Sequence, residues 1–227
     1  MNDQQKRITV VLQLLKKTYP HAHIMLNYKT PWELLVAVIL SAQCTDIMVN
    51  KVTASLFMKY KTIEDVAHAN QSIFEQDIKS IGFYRNKAKH IIAAANMILQ
   101  TWKRAVPKTM EELITIPGVG RKTANVVLCN AYQTNAGIAV DTHVLRLSER
   151  LRLVSPVAYT NPIKTERELM NSISKSEWRN ITYHLIDHGR AVCRAQKPKC
   201  DLCVLSKVCP SCFSCFTKKN MIGCESY

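Results

Sequence analysis

Leu113-Ile114-Thr115-Ile116-Pro117-Gly118-Val119-Gly120-Arg121-Lys122-Thr123-Ala124-Asn125-Val126-Val127-Leu128 is the stretch on which the reading of this chain turns. A short helix beginning near Met110 is broken by Pro117, Gly118 and Gly120 make a tight turn, and a second helix opens at Arg121 with apolar residues at 124, 127, 128 and 131. The pattern is a helix-hairpin-helix. Its glycines let backbone N–H groups approach a phosphate closely at the positive end of the second helix, an anion site that reads no base and suits a nucleic-acid backbone.

Arg121 and Lys122 fall in the first turn of that helix, where the macrodipole disfavours cations by about 0.3–1 kcal/mol each. A bound phosphate offsets the cost. So does a lysine that sheds its proton to act as a nucleophile. An isolated Arg-Lys pair would be read as two solvated side chains, but the hairpin in front of this one favours a functional reading.

The formal net charge of +14 over 227 residues calls for a polyanionic partner, either nucleic acid or an anionic membrane surface. The longest apolar run, Leu34 to Leu40, is seven residues, too short to span a bilayer, and no exposed basic amphipathic helix suits a membrane surface. The N-terminus leads into an amphipathic helix without a secretory apolar core. The expected setting is therefore a thiol-reducing one: the cytoplasm of a bacterium, associated with DNA, or the nucleus or mitochondrion of a eukaryote. There the nine cysteines are candidates for metal binding before disulfides.

Outward from the hairpin, helical periodicity and caps place a helix over residues 3–18 and another from Trp32 to about Ala42, opened by Thr30-Pro31-Trp32-Glu33 as a capping box. Ser41-Ala42-Gln43-Cys44-Thr45-Asp46 ends it, with Thr45 capping the next. Thr62 and Asp65 cap a short helix, Ile73 to Lys79 forms another, and Gly82 turns the chain into a helix reaching about Trp102. Thr109 and Glu112 form a capping box ahead of the hairpin. Asp141 caps a helix ending near Leu151, Asn161-Pro162 opens one more, and a last helix from Ser176 to His188 is stopped by Gly189. With about ten helices and no alternating strand, the chain reads as all-α.

Cys193, Cys200, Cys203 and Cys209 follow the spacing C-x6-C-x2-C-x5-C, which curls one short segment around one centre. Four thiolates suit tetrahedral zinc or a [4Fe–4S] cluster, and the single tight C-x2-C pair favours the cluster. Seven Lys or Arg against one acid between Gly189 and Asn220, among them Arg194, Lys197 and Lys199, make this loop a metal-stapled basic knob for phosphates.

The hairpin, the segment Val140-Asp141-Thr142-His143, the break at residues 41–46 and the cysteine spacing together resemble the endonuclease III family of helix-hairpin-helix DNA glycosylases, over nearly the whole chain up to Cys209. The resemblance implies two all-α domains flanking a DNA-binding cleft: a six-helix domain over residues 24–135, and a cluster domain from 1–23 with 136–211, followed by a cysteine-containing tail, 212–227. It implies Lys122 as the catalytic nucleophile, Asp141 as the catalytic carboxylate, Gln43 filling the space of an extruded base, and Phe83 wedging the opposite strand. One extra residue lies in the loop around Gln133 to Gly137, and Cys212, Cys215 and Cys224 are not part of the family pattern; Cys212 or Cys215 could compete as fourth ligand.

The activity so implied is base-excision repair by a monomer on double-stranded DNA with damaged pyrimidines or abasic sites: base flipping, attack of the neutral Lys122 amine on the sugar C1′, and β-elimination on the 3′ side. The helix N-terminus and Arg121 both favour the neutral amine. Asp141 opposes the developing cationic sugar, though an aspartate at that position is also an ordinary helix cap. The alternative is a non-catalytic DNA-binding protein in which the hairpin and loop only hold backbone. A monofunctional adenine glycosylase would lack Lys122 and carry a further C-terminal domain.

Overall fold

A computed structural model describes residues 2–212, and the regular structure among them is entirely helical. The helices are α1 (Asp3–Thr18), α2 (Pro31–Ser41), α3 (Asp46–Lys59), α4 (Ile63–Ala67), α5 (Gln71–Asp77), α6 (Tyr84–Thr101), α7 (Met110–Leu113), α8 (Arg121–Ala131), α9 (Thr142–Arg150), α10 (Pro162–Ser172) and α11 (Trp178–Ala191), with short 3-10 turns between or after the later ones. Among the described residues no helix is long and apolar enough to cross a membrane. Cys215 and Cys224 lie outside the described residues.

Local chemistry explains most of the helix starts. The side chains of Asn2, Thr30, Thr45, Thr62, Asn70, Thr109, Asp141 and Asn161 each accept a first-turn backbone N–H. Each such cap is worth about 1 kcal/mol. Three details depart from the sequence reading. Helix α5 opens at Gln71 rather than Ile73, because Asn70 takes the N–H of Ile73. The Glu33 carboxylate reaches past the cap to the N–H of Lys29, at 2.6 Å.

The third concerns Gly189, which does not stop the last helix: α11 runs through it to Ala191. A Cβ at that position would lie 2.7 Å from Nδ1 of His143 and 3.0 Å from Nη2 of Arg146, both on α9, so the glycine is there for close helix packing.

The chain divides into two compact units: residues up to His23 together with those from Gly137 onward, and Ile24–Ala136. In the second, α2 is buried from Leu34 through Leu40 and packs on α8, α3 and α6. Burying each of its larger aliphatic side chains contributes about 1.5–3 kcal/mol, which makes α2 the pillar of that unit. In the first, Ile8, Val11 and Leu15 of α1 pack with Val144 and Leu147 of α9 and Ile181 and Leu185 of α11, and Leu205 of the cysteine loop joins the same core.

Candidate functional site

The hairpin is pinned from inside. Ile116 and Val119 are buried and bonded to one another, Val119 N–H to Ile116 C=O at 3.0 Å, so the turn cannot lift off the core. Its two glycines serve different ends. Gly118 takes φ +81°, and a Cβ there would lie 2.9 Å from Cβ of His90 on α6, so the fold itself demands it. Gly120 has ordinary φ −93°, and a Cβ would meet nothing within 4 Å. Its smallness matters only to something arriving from outside. Gly120 offers no side-chain cap to the first-turn N–H groups of α8, and Gly120, Arg121 and Lys122 are all exposed. That is the arrangement of a backbone anion site.

Two more turns of the same unit carry exposed side chains on strained backbone. Gln43, just past the end of α2, has φ 54°, and Phe83, at the start of α6, has φ 58° and is 64% exposed. A non-glycine residue pays about 1–2 kcal/mol for this region. The sequence pointed to Gly82 as the turn-maker, but Phe83 takes the left-handed conformation, which aims the ring outward. The two turns adjoin: a Cβ on Gly82 would sit 3.7 Å from the carbonyl oxygen of Gln43.

Asp141, half-buried, accepts the N–H of Val144 through Oδ1 at 2.7 Å, so its cap bond fixes the carboxylate at the head of α9. Two arginines of α9, absent from the sequence reading, tie that helix to the cysteine loop. Arg146 donates through Nε and Nη2 to the carbonyl of Cys193 at 3.2 and 3.0 Å and through Nη2 to that of Gly189 at 3.2 Å. Arg150 donates to the carbonyls of Arg194 (2.7 Å) and Ala195 (2.9 Å) and to Sγ of Cys193 (3.3 Å). Their i, i+4 spacing was the available signal, on a helix whose other face is strongly apolar.

Cys193, Cys200, Cys203 and Cys209 line one pocket, with Cys212 also at its wall. Among the described residues no set of three or more His, Cys, Asp or Glu side chains is drawn to the spacing of a single-ion site. His188, buried, bridges Tyr19 Oη (3.0 Å from Nδ1) and Cys203 Sγ (3.4 Å from Nε2). Burial pushes the Cys209 thiol up to about 12 and raises that of Cys203, and in each the neighbouring cysteines push the same way. Thiolates gathered so closely need a cationic centre to ionise together, so the donor set fits a metal cofactor ligated by thiolates. Arg194, Lys197 and Lys199 are exposed on the same loop, Lys197 at φ 49°.

The family model described as HhH-GPD superfamily base excision DNA repair protein matches residues 36–175. The endonuclease III of Synechocystis sp. is 51% identical over 93% of this chain and 95% of its own length, and that of Bacillus subtilis 46% identical over 90% and 92%. Among solved structures, a trapped endonuclease III–DNA covalent intermediate, the estranged-adenine complex, superposes with TM-score 0.86 at 43% identity, over 92% of this chain and 96% of that one. A non-covalent endonuclease III–DNA complex matches with the same TM-score at 44% identity and the same coverage.

Proposed function

Since the chain belongs to the endonuclease III family, within the HhH-GPD superfamily of base excision DNA repair proteins, we propose that this DNA glycosylase is bifunctional, removing oxidised pyrimidines from double-stranded DNA and then cleaving the strand as an AP lyase. The observation that carries the reading is the start of α8, where Lys122 stands exposed beside an uncapped helix N-terminus and the open face of Gly120.

The damaged nucleotide leaves the stack, most cheaply where it pairs or stacks poorly. The phosphates beside it bind the N–H groups of the hairpin, Arg121, and the loop cations Arg194, Lys197 and Lys199. Gln43 occupies the vacated space and Phe83 wedges the opposite strand. Lys122, exposed in the free protein, is the nucleophile. Nζ attacks C1′ and the glycosidic bond breaks, its electron pair leaving with the base, which is protonated. Opening of the sugar ring gives an iminium between C1′ and Nζ. Loss of a C2′ proton then expels the 3′ phosphate oxygen, and water hydrolyses the iminium to release Lys122. Asp141, held by its cap bond, opposes the cationic sugar and relays protons.

In this reading Cys193, Cys200, Cys203 and Cys209 hold a [4Fe–4S] cluster. Bound there, it supplies iron–thiolate bonds that tie the basic loop, and no group that takes part in excision.

Borohydride reduction in the presence of abasic-site duplex tests the proposal. The wild-type chain should give a covalent adduct, and Lys122→Ala should lose it while still binding the duplex. An adduct that persists undiminished in Lys122→Ala moves the nucleophile elsewhere. No adduct with either protein refutes the lyase chemistry.

A further inference from the structure

We propose that Lys87 is a positioning residue which binds the Gln43 turn to the Phe83 turn and so sets both side chains that enter the duplex; the inference rests on the DNA-repair reading above. Lys87 lies on α6 at 6% exposure, and its Nζ donates to the carbonyl oxygens of Leu40 at 2.8 Å and Ala42 at 2.5 Å. These are terminal carbonyls of α2, which lack helical N–H partners and sit at the negative end of its dipole, a natural seat for an ammonium. Ala42 immediately precedes Gln43. At its other end, the Lys87 backbone N–H closes the first turn of α6 on the carbonyl of Phe83, at 3.1 Å. One residue thus holds the backbone on the near side of both strained turns.

Burial alone would argue against a lysine here. Residues 87, 88, 91, 94, 95 and 98 form the buried stripe of α6, and all but Lys87 are alanine or isoleucine. Burial lowers the readiness of this ammonium to stay charged. An alkyl residue would fill the site without that cost but would leave two carbonyls unpaired and the Gln43 turn free to relax out of its left-handed conformation. Left-handed backbone at a bulky side chain persists only where its surroundings over-determine it; the Lys87 side chain supplies that constraint at the Gln43 turn and ties it to the first turn of α6, the helix that Phe83 opens. A plain helix cap would explain the bonds to α2 but not why they come from the first turn of the helix that Phe83 opens.

The test compares duplex and single-stranded abasic DNA, because only a duplex presents a stack to be entered and a space to be filled. Lys87→Met should slow adduct formation on the abasic duplex about tenfold or more relative to its rate on a single-stranded abasic oligonucleotide. With Gln43→Ala added, the further loss from Lys87→Met should shrink to about twofold, since neighbours acting through one feature are not additive. Lys87→Arg, which keeps two donors, should restore part of the duplex rate. If Lys87→Met does not fold, Lys87→Arg carries the comparison, with a smaller shift in the same ratio. Equal losses on both substrates, or full additivity with Gln43→Ala, would mean that Lys87 only stabilises the fold and would overturn the inference. Failure of the wild-type chain to form any adduct would instead refute the lyase reading.

Discussion

Gly189→Ala offers a sharp test of the packing that supports Asp141. In an exposed helix interior this change gains about 1 kcal/mol. Here the added Cβ would lie 2.7 Å from Nδ1 of His143, 3.0 Å from Nη2 of Arg146 and 3.2 Å from Cβ of His143. The last is fixed to the α9 backbone, so the helices must part by a few tenths of an ångström. Overpacking of this kind costs about 1–3 kcal/mol. Moving Arg146 also strains its bonds to Gly189 and Cys193, and a hydrogen bond from a charged group is worth about 1.5–3 kcal/mol. The losses exceed the propensity gain, leaving a net destabilisation of about 2–3 kcal/mol. For a chain of this size that lowers Tm by about 5–10 °C. Thermal scans of the loaded, full-length protein measure it, and His143→Ala in the same chain should recover part of the loss. A Gly189→Ala protein that melts at or above the wild-type temperature would refute the close contact between α9 and α11.

Asp141→Asn keeps the cap and should change stability by no more than a few tenths of a kcal/mol while cutting lyase turnover, whereas Asp141→Ala should lose about 1 kcal/mol of stability as well; equal turnover in Asp141→Asn would reduce Asp141 to a cap. Removing Lys197 should reduce the log–log salt slope of duplex binding by about one, and an unchanged slope would show that it neutralises no phosphate. The purified protein should contain iron and labile sulfide, and Cys200→Ala should lose both; stoichiometric zinc in their place would refute the cluster. His184, buried and with Nδ1 lacking a protein partner, has its proton affinity lowered chiefly by burial. The unfolded chain therefore binds the proton more tightly, so this residue costs stability as the pH falls through about 6.5. His184→Leu should flatten urea-unfolding stability between about pH 7 and pH 5 relative to wild type, and an unaltered acid limb would refute the assignment.

The sequence by itself determined what is local. Helix starts are legible because a cap and the N–H it binds lie within three residues, as at Thr30, Thr45 and Asp141, and the apolar period of α8 follows from its own spacing. The turn at Gly118 and the cysteine spacing are equally short-range. What only the tertiary structure decided are contacts between segments distant in the chain. Gly189 looked like a helix stop and is a packing glycine, because its neighbour His143 is on another helix. Phe83, not Gly82, took the left-handed turn. Lys87 reached back across more than forty residues to the end of α2, and Arg150 across a similar span to Cys193. A cap is paid for by its own neighbours in sequence, but a buried charge or a missing Cβ is justified only by what another element brings against it, and that is information no single stretch contains.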